Sequence, residues 1–246
     1  MIYKPYCIDI YHGDVVLGAN DEGFAQVKAA GIAFLDHKAS QGPDKSGWDP
    51  LCKFRRQRWM DGAAISVTDV DGAVLSLQPR FGHYHFNGVG SAADEAANFV
   101  AAVRAAGYQA GDDLCLDWED IGASGYQQPA TWADEFCSRV EQWCGFATKI
   151  YGGDAPRQQL AQVSGALHDR FAARRPWICQ YGNYNPAEVP LPWQGAGHQW
   201  QDDGDRYGPG PHTIAGLSGY CDNSTVIGGL TVAQMNAAWG GSVAAS

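Results

Sequence analysis

Short apolar runs alternate with helix-period patterns along most of the chain. Cys7-Ile8-Asp9-Ile10 reads as a strand, with Ile8 and Ile10 on one face and Asp9 on the other. Gly23 to Ala30 reads as a helix that Gly31 ends, and Ile32 to Lys38 as the next strand. Gly82 to Phe86 predicts a strand, followed by a helix that Ser91 caps, with Asp94 at its third position and Glu95 in its first turn. Phe99, Val103 and Ala106 line one face of that helix and Gly107 closes it. Leu114 to Trp118 predicts a strand, and Thr131 caps a helix carrying Phe136, Val140 and Trp143 or Cys144. Phe146 to Tyr151 predicts a further strand, and Pro156 opens a helix bearing Leu160, Val163 and Leu167. Trp177 to Tyr181 and His198 to Gln201 read as late strands with no helix of useful length between them. Strand–helix alternation at this spacing predicts a mostly parallel α/β sheet, and about eight strands predict a closed β/α barrel with less helix in its last third. Between Gly42 and Gly82 only a hairpin stands out, Ile65 to Val67 and Ala73 to Leu77 about the turn Asp69-Val70-Asp71-Gly72. With no repeat or long linker, a single domain over residues 1–239 is expected, with a fraying small-residue tail at 240–246.

Charge narrows the function. A net charge of −10 gives no general attraction to phosphate backbones or anionic lipid, so neither nucleic acid nor membrane is an expected partner. The one dense basic cluster, Arg55, Arg56 and Arg58, reads as a solvated face. No apolar run approaches the ~20 residues of a membrane helix. Met1 to Asp9 lacks the basic and apolar blocks of a secretory signal, so synthesis in the cytoplasm without a cleaved leader is expected. The seven cysteines form no C-x-x-C pair and several sit in apolar runs, which predicts reduced thiols and no structural zinc; no cofactor is expected.

The segment Leu114-Cys115-Leu116-Asp117-Trp118-Glu119-Asp120 starts as a buried strand and ends in three carboxylates. Residues two apart on a strand share a face, so Asp117 and Glu119 point the same way with Cα atoms ~6.6 Å apart. In a parallel barrel that strand end lies on the catalytic face. Two like charges held this close raise one pKa, which supplies the protonated carboxyl that glycosidic cleavage needs. Asp9, opposite Ile8 and Ile10, is expected inside the barrel, either in the chemistry or paired with Lys38 in the next strand. Asp222 closes the last strand-like segment. His83 and His85 share a strand face and leave open a metal-dependent hydrolase. Tyr84, Trp118, Tyr151, Trp177, Tyr181 and Trp200 recur at strand ends, as the walls of a saccharide groove would.

Ile8-Asp9-Ile10-Tyr11-His12, Asp36-His37-Lys38-Ala39-Ser40-Gln41-Gly42, Gly82-His83-Tyr84-His85-Phe86, Leu116-Asp117-Trp118-Glu119, Ile150-Tyr151-Gly152, Trp200-Gln201 and Asp222-Asn223 occur in that order. Together they resemble the glycoside hydrolase family 25 muramidases, the Chalaropsis-type lysozymes of phages, bacteria and fungi, over roughly residues 6 to 230. The resemblance implies an irregular TIM-like β/α barrel with fewer than eight helices. It implies cleavage of the β-1,4 bond between N-acetylmuramic acid and N-acetylglucosamine in peptidoglycan. Carried over by position, Glu119 matches the proton donor, Asp117 the second acid of the pair, and Asp9 and Asp222 the acids of the first and last strands. Tyr84 and His85 match the groove-lining motif and Gln201 follows the matching Trp200. Tyr151, Trp177, Tyr181 and Lys38 complete the expected substrate-binding set. Three departures stand out: Ser40-Gln41-Gly42 where the family usually has Thr-Glu-Gly, Tyr11 in place of a small residue, and a long stretch from Gly42 to Gly82. The family 18 chitinase pattern fails, because Asp112, Asp117 and Glu119 comply but Cys115 replaces its middle acid. The expected partner is thus the peptidoglycan strand, met by a monomer released through a holin or a secretion machine. The competing readings are a non-catalytic saccharide-binding barrel and a metal hydrolase using His83 and His85.

Overall fold

A computed structural model describes residues 4–122, 125–180, 184–202, 211 and 213–241, without the side chains of 199–202. The strands are β1 (Cys7–Ile10), β2 (Val15–Val16), β3 (Phe34–Gln41), β4 (Ile65–Thr68), β5 (Val74–Leu77), β6 (Arg80–Phe86), β7 (Asp113–Asp117), β8 (Lys149–Gly152), β9 (Arg175–Cys179), β10 (His198–Asp202), β11 (Leu217–Ser218) and β12 (Asn223–Ile227). The helices are α1 (Phe24–Ala29), α2 (Cys52–Met60), α3 (Ala92–Ala105), α4 (Ala130–Cys144), α5 (Asp154–Leu160), α6 (Gly165–Ala172) and α7 (Val232–Ala238). Eight strands close a barrel in the order β1-β12-β10-β9-β8-β7-β6-β3. All neighbours are parallel except β12, which runs antiparallel to both β10 and β1. The reversed strand has a consequence for chemistry. It brings its N-terminal end, with Asp222 just before it, to the rim where the parallel strands end.

The period of two in each strand sorts the core. Ile8, Ile10, Leu35, Phe81, Leu114, Leu116, Ile150 and Ile178 join the cluster beneath the helices. Their alternates fill the barrel, where Tyr84, Cys115 and Trp177 pack with Tyr151. The helix expected from Ser91 forms as read: the Ser91 side chain accepts from the Asp94 N–H at 3.1 Å. The hairpin expected before Gly82 is β4–β5.

Three expectations are corrected. Arg55 and Arg56 are not a solvated face. They lie buried on α2, Arg56 paired with Asp112 at 2.6 Å and Arg55 with Asp21 at 3.1 Å. The single helix expected after Pro156 is two, α5 and α6, because Ala161–Ser164 turns the chain between them. Asp222 precedes the last strand and does not close it. Gly240 and Gly241 of the expected tail lie in a 3-10 turn with Trp239, whose Nε1–H donates to the Phe81 carbonyl at 3.0 Å. Residues 242–246 lie outside the described residues. Among the described residues no helix is long and apolar enough to cross a membrane.

Candidate active site

The strand end after Asp117 is tied on both sides. Asn87, just past β6, donates its N–H to the Asp117 carbonyl at 3.1 Å, and its Oδ1 accepts the Glu119 N–H at 2.7 Å. On the other side the Trp118 N–H donates to the Tyr151 carbonyl at 2.9 Å. The Trp118 ring turns outward, stacked on Phe171, and its Nε1–H donates to the Gln128 carbonyl at 3.0 Å. That anchor leaves Asp117 and Glu119, its two neighbours, facing the barrel mouth. Across the ring, the Asp9 N–H donates to the Asp222 carbonyl at 3.3 Å, which joins the end of β1 to the start of β12. The four expected acids therefore meet at one mouth.

Their electrostatics follow from burial and crowding. Burial first, then the charges of Asp222 and Asp120, push the Glu119 carboxyl up to about 7. Asp117 is driven well above the usual carboxylate range by burial, then by Glu119 and Asp9, with the Lys38 ammonium opposing. Asp9 moves the same way through burial, then Asp222 and Asp36. Among the described residues Asp9 Oδ2 and Asp117 Oδ1 are buried without a hydrogen-bond partner. Glu119 opens onto a cleft of about 450 Å³ shared with Asp120, Asp154, Arg157, Gln180 and Glu188. It lies over the ends of β7, β8 and β9.

The expected substrate-binding residues divide. Tyr151 is half-buried at the mouth, its ring edge-on to Trp177 at 4.7 Å. Lys38 is half-buried at the rim and donates to Gln41 Oε1 at 3.2 Å. Asp9 does not take Lys38 as its counter-charge; the cation beneath it is Lys149. Tyr84 is buried below the acids as part of the barrel filling. Trp177 is corrected: at 2% exposure, with its Nε1–H donating to Ser224 Oγ at 2.8 Å, it is packing and offers no face to a sugar. His85 is corrected too. Strand parity turns it to the helices, where it is fully buried between Ser40 Oγ at 2.8 Å and Glu95 Oε2 at 3.0 Å and stacks on Phe136. His83 faces the same layer, 3.2 Å from Asp112 Oδ2, so the metal reading of this pair loses its site. Tyr181 and the side chains of Trp200 and Gln201 lie outside the described residues. Sequence reading missed Asn87, Gln180 and Arg157. Asn87 and Gln180 each directly follow a barrel strand, the position where such folds place functional groups.

A sequence profile of glycosyl hydrolases family 25 matches residues 76–208, more than half of the chain. No curated protein matches. Among solved structures, the modular autolysin LytC of Streptococcus pneumoniae is similar at 13% identity and a TM-score of 0.63, over 90% of this chain and 46% of that one. The CTP1L endolysin is similar at 18% identity and 0.59, over 90% and 66%. The spore cortex lytic enzyme SleM of Clostridium perfringens is similar at 16% and 0.58, over 91% and 67%. The chain thus spans about half the length of the LytC chain, and likenesses at these identities speak for the barrel alone. The family rests on the profile, which covers both Asp117 and Glu119: the chain belongs to glycosyl hydrolases family 25.

Proposed function

We propose that the chain is a muramidase that cleaves the β-1,4 bond between N-acetylmuramic acid and N-acetylglucosamine in peptidoglycan, with Glu119 as the proton donor. The observation that carries this reading is a carboxyl whose pKa is pushed up to about 7 and which opens onto a cleft at the mouth of a family 25 barrel. A general acid works best when its pKa lies near the working pH, and Glu119 meets that condition. Asp117 sits deeper; burial, Glu119 and Asp9 raise its carboxyl against the opposing Lys38 ammonium, and when ionised it stabilises the positive charge that develops on the sugar ring. Asp9 and Asp222 add to the negative field that keeps the proton on the cluster. A second LytC structure is a complex with a synthetic peptidoglycan ligand, which supports a glycan strand as the substrate class. On this reading the chain acts at the cell wall, as a monomer and without metal or cofactor.

The test is digestion of purified peptidoglycan by the wild type and by Glu119→Gln, with the products reduced by borohydride and read by mass spectrometry. Reduced muramic-acid ends are expected from the wild type and not from the variant. Reduced glucosamine ends, or equal release by both proteins, overturn the assignment.

A further inference from the structure

We infer that Tyr11 is a sugar-stacking platform on the side of the barrel mouth opposite the Glu119 cleft, a contact that rests on the muramidase reading and extends it. In the strand order, β1 stands across the ring from β8, where the cleft opens. A glycan strand long enough to cross the acids from the cleft therefore leaves over the end of β1. Tyr11 lies there, two residues after Asp9, and is 42% exposed.

An exposed tyrosine alone needs no explanation. This one is held. Its N–H donates to Asp14 Oδ2 at 2.7 Å, and its carbonyl accepts from the Asp14 N–H at 3.0 Å and from Arg55 Nη1 at 2.6 Å. Arg55 also reaches the Asp14 carbonyl at 2.5 Å, so the buried arginine of α2 clamps the whole turn. The next residue, His12, is fixed to Asp49 through its N–H at 2.8 Å and its Nδ1 at 3.0 Å. The Tyr11 ring lies across Gly13, where a Cβ would come within 2.5 Å of Cζ. The Lys38 ammonium stands 5.4 Å from the ring centroid, and the same ammonium bears on Asp117. Tyr11 is thus an aromatic plane on a rigid turn, joined through one cation to Asp117. Sugar rings present C–H faces to such planes, and pre-fixing the plane removes the ordering cost of binding.

The probe is a disaccharide-repeat tetrasaccharide of peptidoglycan, (N-acetylglucosaminyl-N-acetylmuramic acid)₂. Tyr11→Ala is expected to raise KM about tenfold with kcat held within about twofold, the pattern of lost binding that is equal in ground and transition states. Tyr11→Trp is expected to keep the wild-type KM. Gly13→Ala, which retains the tyrosine but displaces its ring, is expected to raise KM as Tyr11→Ala does. The same tetrasaccharide is titrated calorimetrically into Glu119→Gln and into Glu119→Gln with Tyr11→Ala, where Kd is expected to rise about tenfold. That arm reads the platform even if the wild type turns nothing over, so failure of the muramidase reading and failure of the platform are separate results. An unchanged KM and Kd in Tyr11→Ala, a loss in kcat alone, or no binding by Glu119→Gln overturns the inference.

Discussion

Glu119, held up to about 7 where an ordinary glutamate sits at 4.5, binds its proton more tightly in the folded chain than in the unfolded one. Between those two values the folded state therefore carries more protons, and stability falls as pH rises. Asp117 and Asp9 are shifted in the same direction, so they add to the slope. The stability linked to Glu119 is fully present below pH 4.5 and is lost by the time pH has risen through 7. At 1.36 kcal/mol per unit the loss is on the order of 3 kcal/mol at most. Glu119→Gln, a permanent mimic of the neutral acid, should raise Tm at pH 8 and leave it nearly unchanged at pH 4. A Tm shift equal at the two pH values would mean that the folded chain places no strain on this carboxyl. The wild-type activity should fall on the alkaline side as pH passes 7, when the donor loses its proton. At this scale much was legible from the strand period, which put Asp117 and Glu119 on one face and Asp9 inside. The same period was there for His85, since Tyr84 and His85 cannot both face the mouth. The resemblance overrode it, and the ring lies with the helices.

The elements show how helices hold loops that hold the site. Glu95 of α3 is buried and binds three groups of the segment that ends β6: His85 Nε2 at 3.0 Å, the Gly88 N–H at 2.7 Å and the Gly90 N–H at 2.7 Å. Gly88 and Gly90 approach so closely that a Cβ at either would meet Glu95 Oε1, at 2.8 Å and 3.0 Å. Asn87, which receives the Glu119 N–H, lies between His85 and Gly88. Glu95→Ala leaves two amides and an imidazole without their partner. It should cost about 3–5 kcal/mol, the range for stripping one member from a buried polar set. The midpoint of urea unfolding should drop at unchanged slope, and kcat should fall in the protein that remains folded. A midpoint within error of the wild type would refute this role for Glu95. The N-cap at Ser91 was readable because it is local in sequence. The helix α2 was not, because its buried face carries Cys52, Arg55, Arg56 and Trp59. Two arginines on the inner face erase the apolar stripe that marks a helix. They are satisfied by Asp21 and Asp112, which sit 34 and 56 residues away.

Across the whole molecule the barrel is neutralised at its floor and acidic at its mouth. At the floor Lys149 Nζ lies 2.7 Å from Asp36 Oδ2 and 3.4 Å from Asp113 Oδ2, and Arg175 Nη1 reaches Asp113 Oδ2 at 3.1 Å. The Lys149 ammonium also stands 4.4 Å from the ring centres of Trp177 and Trp239, which seal it from water. Two anions thus face two cations. Above them, Lys149 opposes the rise of Asp9 and Lys38 that of Asp117, while the neighbouring acids push both carboxyls up. Alternation placed Asp9 inside, but no local pattern could name its cation, since Lys149 and Asp36 pair across 113 residues of chain. The division makes a prediction. Lys149→Met strands Asp36 as a buried charge, while Asp113 keeps Arg175, so the loss should approach the 3–5 kcal/mol (about) of a broken buried pair. Adding Asp36→Asn to Lys149→Met removes the stranded charge and should recover a large part of that loss, although each change taken alone removes a partner. Thermal unfolding of the two single variants and the double variant forms the cycle, and an additive result would show that the pair does not act as one unit.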